Sequence, residues 1–85
     1  MTSKEITIQL SGGLEARPIA MLVQVASQFS SEIHLESADR SVNAKSIMGM
    51  MTMSLASGEK VVVTANGSDE VDAVQKIEDY LSAKN

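Results

Sequence analysis

Residues 61–81 read VVVTANGSDEVDAVQKIEDYL, and this succession of strand, turn and helix decides the fold class. The continuous β-branched run at residues 61–65 predicts a strand inside a sheet, and Asn66-Gly67 ends it. Ser68 is the predicted N-cap of a closing helix, because acidic residues follow it in the first turn, where the helix dipole favours anions. The predicted apolar stripe of that helix consists of Val71, Ala73, Val74, Ile77, Tyr80 and Leu81.

Upstream of this stretch, the hydrophobic period alternates between two and about 3.6 residues. Apolar residues alternate at residues 5–10 and 32–36, which predicts half-buried strands, and residues 41–44 return as the second arm of a hairpin. Helical spacing predicts a helix at 16–28 and a short one at 46–53. The order is β-α-β-β-α-β-α, an α+β fold. One face of its four-stranded sheet is apolar, so we expect the helices to cover that face only.

The composition restricts the function classes. The 85 residues predict one domain, residues 1–85, with formal charge -4 and only Phe29 and Tyr80 as aromatics. The net negative charge and the scarcity of aromatic residues disfavour direct nucleic-acid binding. Without cysteine, a leader pattern or an 18-residue apolar run, we expect a cytoplasmic protein with no membrane contact. The single histidine, His34, falls on the outer face of a strand between Glu32 and Glu36, which favours a surface residue over a metal ligand or catalytic group.

The first segment that suggests chemistry is SGGLEARP at residues 11–18. A glycine-rich turn that opens a helix is suited to anions, since the first amides have no partner, and Arg17 adds a guanidinium. The alternative is structural: the glycines make the turn, Glu15 caps the helix and Arg17 is a surface charge. Both interpretations are open on the residues alone.

The second segment is NAKSIMG at residues 43–49, in which Ser46 is the predicted N-cap of the short helix. It is either an unmodified cap or a phosphorylation site, with Lys45 beside it. Four methionines follow closely, and a short helix cannot turn all of them inward, so some are expected in an exposed docking patch. These are Met48, Met50, Met51 and Met53. Taken individually, core packing is the more conservative interpretation for Met51 and Met53.

Together these segments resemble the HPr family, whose phosphocarrier members belong to the bacterial sugar phosphotransferase system. GLEARP at residues 13–18 is similar to that family's GIHARP active-site segment, and KSIMG at residues 45–49 to its regulatory serine segment. The likeness covers nearly the whole chain. It implies four antiparallel strands covered on one side by three helices.

Glu15 departs from the pattern, because the family's phosphocarriers have a histidine there that accepts and passes on a phosphoryl group. A carboxylate cannot replace that nucleophile in the same relay, whereas Ser46 is retained. The resemblance therefore implies a regulatory member, phosphorylated on Ser46 by HPr kinase/phosphorylase and then acting as corepressor of the LacI-family catabolite control regulator. Arg17, Lys45, Ile47, Met48 and Met51 would contact the partner. Glu15 itself either imitates a phosphorylated histidine or marks drift after the relay was abandoned.

The alternatives are a phosphocarrier that uses an unconventional residue and a small-molecule binding module of the same fold. An autonomous enzyme is disfavoured, since the sequence shows no nucleophile and base pair. No cofactor or metal is implied. The expected state is a monomer or weak dimer, in which the Gly12-Gly13 hinge would permit exchange of the first strand between protomers.

Overall fold

The computed structural model describes residues 1–10, 12–13, 15–37, 40–53 and 55–83. The elements follow the predicted β-α-β-β-α-β-α order. They are β1 (Thr2–Thr7), α1 (Ala16–Ser27), β2 (Glu32–Ser37), β3 (Arg40–Asn43), α2 (Ile47–Met50), β4 (Lys60–Asn66) and α3 (Glu70–Leu81). Residues 38 and 39 of the predicted turn between β2 and β3 lie outside the described residues, as do residues 11 and 14 of the glycine-rich segment.

The four strands form one antiparallel sheet in the order β1-β4-β2-β3. The run of valines therefore lies inside the sheet, as its continuous apolar character predicts. In the register, Val63 of β4 lies opposite Lys4 on one side and Leu35 on the other. Val63 and Leu35 are fully buried.

The three helices that the structure describes cover one face of this sheet, and the core lies between the two layers. α3 packs on β1 and β4, α1 packs on α3, and α2 packs on α1 and β3. The largest fully buried apolar side chains come from all of these layers: Ile8, Leu22, Ile33, Leu35, Met50, Val61, Val63, Ile77 and Leu81. The opposite face of the sheet is polar, so the predicted fold class is confirmed.

The first strand is shifted from its predicted position at residues 5–10. β1 begins at Thr2 and ends at Thr7, because it pairs with β4 from Thr2 opposite Ala65 to Thr7 opposite Lys60, where β4 begins. Ile8 and Leu10 are buried as the alternation predicts, although they follow the strand.

Two predictions about the last helix are wrong. Asp69, and not Ser68, is the N-cap residue, and its carboxylate is bonded to the backbone and hydroxyl groups of another turn. Val71 is 66% exposed, because Ala73 takes the inward position in the first turn of α3. Ala73, Val74, Ile77 and Leu81 are buried as predicted.

The second helix is shorter than the predicted 46–53. α2 has four residues, and the chain leaves it through Met51 and Thr52, whose amides donate to the carbonyls of Ile47 and Gly49. Within the described part of the chain, no helix combines the length and the apolar character needed to cross a bilayer.

Candidate functional site

The entry to α1 is fixed by two glycines with positive φ, Gly12 at 83° and Gly13 at 79°. The Gly13 amide donates to the Leu10 carbonyl at 2.9 Å, which closes the turn. A methyl group on Gly13 would lie 2.5 Å from the carbonyl oxygen of Leu55. Only glycine therefore fits between β1 and α1 at this point.

Glu15 is the N-cap residue of α1, with φ −105° and ψ −170°. Its carbonyl accepts from the Ile19 amide at 2.8 Å, but its carboxylate does not bond to the amides of α1, all of which are described. Glu15 therefore occupies the N-cap position, as the structural alternative expects, although its side chain makes no capping hydrogen bond. Glu15 and Arg17 both have exposed side chains.

Tyr80 connects α3 to this end of α1. Its hydroxyl donates to the carbonyl of Pro18 at 3.3 Å, and burial raises the pKa of that hydroxyl. This hydrogen bond connects the last turn of α3 to the first turn of α1. Glu15, at the N-cap, and Arg17, in the first turn, keep their side chains exposed.

Ser46 is the N-cap of α2, as predicted. Its Oγ accepts from the Gly49 amide at 3.1 Å, and its carbonyl accepts from the Met50 amide. Asn43 fixes the backbone before Ser46 with two hydrogen bonds. Its side-chain oxygen accepts from the Lys45 amide at 2.8 Å, and its carbonyl accepts from the Ser46 amide at 3.1 Å. The hydroxyl of the half-buried Ser46 thus has a defined orientation at a tight turn.

Lys45 makes a structural contact. Its Nζ donates to the carbonyl of Phe29 at 2.6 Å, just beyond the end of α1. The last turn of α1 has no basic residue of its own, so this ammonium supplies the positive charge that a helix C-terminus favours.

Exposed apolar side chains follow Ser46, both in α2 and directly after it. Met48 is 84% exposed, Met51 55% and Ile47 52%, whereas Met50 and Met53 are buried. The expectation that some methionines are exposed is confirmed, and core packing of Met51 is wrong. Arg17 and Met21 are exposed residues of α1, the helix that packs against α2. We refer to Arg17, Met21, Ile47, Met48 and Met51 as the α1–α2 surface.

Three residues of this region have roles that were not predicted from the sequence. Met21 falls outside the inward stripe of Ile19, Leu22 and Val23, so a helical projection would have found it. Asn43 precedes the serine by three residues, a position from which it can form an Asx turn. Gly49 stands three residues after the predicted cap, and a capping serine can accept a hydrogen bond from the amide at that position, so this contact could also have been found.

His34 lies elsewhere, on the sheet face that the helices leave open. It is half-buried, opposite Thr64 of β4 and Asn43 of β3, so it is less exposed than predicted. Among the residues that the structure describes, no three His, Asp or Glu side chains converge in a way that would hold a metal ion.

The family model described as "PTS HPr component phosphorylation site" matches residues 2–83. The chain belongs to the HPr family. Among curated HPr-family proteins, the HPr-like protein Crh of Bacillus subtilis (strain 168) is 41% identical over 81 residues, which cover 95% of each chain.

Solved structures of HPr-family proteins have the same fold. The phosphocarrier protein HPr from Bacillus anthracis matches with a TM-score of 0.91 at 38% identity, covering 94% of this chain and 95% of that one. A crystal structure of Bacillus subtilis Crh, described as a catabolite repression protein with a swapped dimer, matches with a TM-score of 0.79 at 39% identity, covering 100% and 98%. The chain is thus similar both to a phosphocarrier and to Crh.

Proposed function

We propose that this HPr-family chain is a regulatory protein of carbon catabolite repression. In this proposal HPr kinase/phosphorylase phosphorylates Ser46 with ATP, and the phosphorylated chain is a corepressor of the LacI-family catabolite control regulator. The chain transfers no phosphoryl group from phosphoenolpyruvate and is not itself an enzyme.

The observation that carries the proposal is the contrast between residues 15 and 46. Residue 15 is an exposed glutamate at the position where the family's phosphocarriers have their histidine, so the nitrogen nucleophile of the relay is missing. Residue 46 is a serine whose oxygen is oriented by the Gly49 amide at the edge of an exposed apolar surface. The chain therefore lacks the histidine nitrogen that the phosphoryl relay requires, and it keeps the serine hydroxyl that the kinase would phosphorylate.

The α1–α2 surface has the chemistry of a docking site for the regulator. Phosphorylation would add about −1.5 to −2 charges beside Ile47 and Met48, and these charges would pair with basic groups of the partner. Met48 and Met51 would supply flexible apolar contacts, and the exposed Arg17 would complete the polar rim. Lys45 would contribute less than Arg17, since its ammonium already bonds to Phe29.

Replacing Ser46 with Ala tests the proposal. We expect Ser46→Ala to take no phosphate from ATP and HPr kinase/phosphorylase and to lose phosphate-dependent binding to the regulator. Loss of the cap should lower the free energy of unfolding by only about 0.5–2 kcal/mol. Mass spectrometry with the modified residue mapped gives the first result, and titration calorimetry with the regulator gives the second.

The matched control is Ser41→Ala, which removes an exposed serine of β3 and should behave like wild type. Phosphate-dependent binding that survives in Ser46→Ala would contradict the proposal. Incubation with phosphoenolpyruvate and the first enzyme of the phosphotransferase system tests the phosphocarrier alternative, because only a carrier would be labelled without ATP.

The proposal extends to the organisation of the protein. Residues 1–85 would act as one cytoplasmic domain and as a monomer or weak dimer. The swapped dimer described for Bacillus subtilis Crh supports a swapped dimer here, and in this proposal β1 is the exchanged segment and Gly12-Gly13 the hinge. Sedimentation of the purified chain over a range of concentrations would measure its state.

A further inference from the structure

Gly49 borders the Ser46 hydroxyl on one side. Its amide donates to Ser46 Oγ at 3.1 Å. A methyl group at residue 49 would lie 3.4 Å from Ser46 Oγ, 3.5 Å from Ser46 Cβ and 3.8 Å from Val42 Cβ. These are ordinary van der Waals distances, so alanine would fit here, but it would cover this flank of the hydroxyl.

We propose that Gly49 determines the rate at which Ser46 accepts a phosphoryl group, by orienting the hydroxyl through its amide and by leaving this flank open. The inference rests on the proposed function and concerns the transfer step at the same serine. Gly49 is a positioning residue, since its contact with the chemistry passes through Ser46.

The transfer step requires room around the oxygen. Ser46 Oγ bonds to the γ-phosphorus of ATP, the bond from that phosphorus to the oxygen bridging the β-phosphate breaks, and ADP leaves. The hydroxyl proton passes to a base of the kinase. Because the Gly49 amide occupies one acceptor position of Oγ, the hydroxyl proton and the other lone pair point away from that amide.

A methyl group touching Oγ would restrict this geometry. The three oxygens of the incoming phosphoryl group come close to Oγ as the new bond forms, so a neighbour in contact with Oγ limits the directions of approach. Transfer depends steeply on alignment, and a misplacement of about 1 Å can cost about 10²-fold in rate. The folded state should tolerate the change, because Gly49 is not among the glycines with positive φ and alanine favours a helix.

The test is Gly49→Ala with ATP and HPr kinase/phosphorylase, measuring kcat and the KM for the protein substrate. We expect kcat to fall by about tenfold or more, KM to stay unchanged because the exposed side chains that follow Ser46 are not altered, and Tm to equal or exceed that of wild type. Met48→Ala is the contrasting variant on the same helix. Since Met48 is 84% exposed two residues after Ser46, we expect the kinase to contact it as well, so this change should raise KM more than it lowers kcat.

The outcomes separate this inference from the proposed function. If wild-type protein takes no phosphate on Ser46, the proposed function fails. If wild type is labelled and Gly49→Ala has the same kcat, this inference alone is overturned. A rise in KM with constant kcat would assign Gly49 to docking and overturn it as well. A variant that does not fold would contradict the spacing from which the inference is argued.

Discussion

The two glycines that precede Glu15 share a backbone conformation but differ in their surroundings. Both have positive φ, which disfavours any residue with a Cβ. At Gly13 a methyl group would lie 2.5 Å from the Leu55 carbonyl oxygen and 2.9 Å from Ala56 Cα, and these backbone atoms cannot move aside cheaply. At Gly12 no heavy atom of the described residues lies within 4 Å of that position.

Alanine substitutions at these two positions should therefore distinguish the cost of a positive φ from the cost of a steric overlap with the backbone. We expect Gly13→Ala to lower the free energy of unfolding by about 1–3 kcal/mol more than Gly12→Ala, because only the first variant adds an overlap with the backbone. Urea denaturation of both variants measures the difference. Equal losses would show that the close approach to Leu55 costs nothing.

At the scale of the element, α2 divides its side chains between the core and the surface. Met50 is fully buried, and its neighbour Met51 is 55% exposed. A four-residue helix has one inward direction, so adjacent methionines cannot both use it. The core contact of Met50 holds the helix in place, and Ile47 and Met48 are left exposed to solvent.

The two methionines should accordingly respond differently to truncation. Met50→Ala is expected to cost about 2–5 kcal/mol of unfolding free energy, as buried large-to-small changes do. Met51→Ala should change stability by less than about 0.5 kcal/mol but weaken binding of the phosphorylated chain to the regulator. Denaturation and calorimetry on both variants check this. A large loss of stability in Met51→Ala would contradict the assignment of Met50 to the core and Met51 to the surface.

At the scale of the whole molecule, two carboxylates at the start of α3 connect distant parts of the chain. Glu70 accepts from the Thr2 hydroxyl at 2.5 Å, lies 2.9 Å from the Met1 amino group and accepts from the Gly67 amide at 3.2 Å. The Thr2 hydrogen bond and then the contact with the amino group lower its pKa to about 2.

Asp69 makes the corresponding connection to the turn between α1 and β2. It accepts from the amides of Ser30 at 2.9 Å and Ser31 at 3.0 Å, and from the Ser31 hydroxyl. The Ser31 hydroxyl is the main cause that lowers the pKa of this carboxyl. Ser31 is itself fully buried, so the carboxylate satisfies a polar group inside the molecule.

These contacts predict an acid dependence of stability. Because the folded-state pKa of Glu70 is lowered from 4.5 to about 2, its contribution is complete above about pH 4.5 and is lost as the pH falls toward 2. Urea denaturation at pH 7 and pH 3 should show a smaller loss for Glu70→Gln than for wild type. Glu59→Gln, which alters an exposed carboxylate before β4, should keep the wild-type dependence. An unchanged loss in Glu70→Gln would contradict the prediction.

Most of the fold could be predicted because its signals are local. The alternation in β2, the β-branched run in β4 and the helical spacing of Ile19, Leu22, Val23 and Ala26 each reflect one exposed and one buried side. Ser46 was also predictable as a cap, since the residue itself supplies the acceptor that a helix start requires. The boundaries of β1 were not predictable, because they depend on where β4 begins to pair with it.

The sequence by itself determined the order of the elements, the apolar face of the sheet and the presence of glutamate at residue 15 and serine at residue 46. Only the tertiary structure decided that Asp69 bonds to Ser31, that Val71 faces solvent and that Lys45 bonds to Phe29. The physical reason is that periodicity reports which side of an element is buried. The partner of a particular polar group depends on segments far away in the chain, which only folding brings within hydrogen-bonding distance.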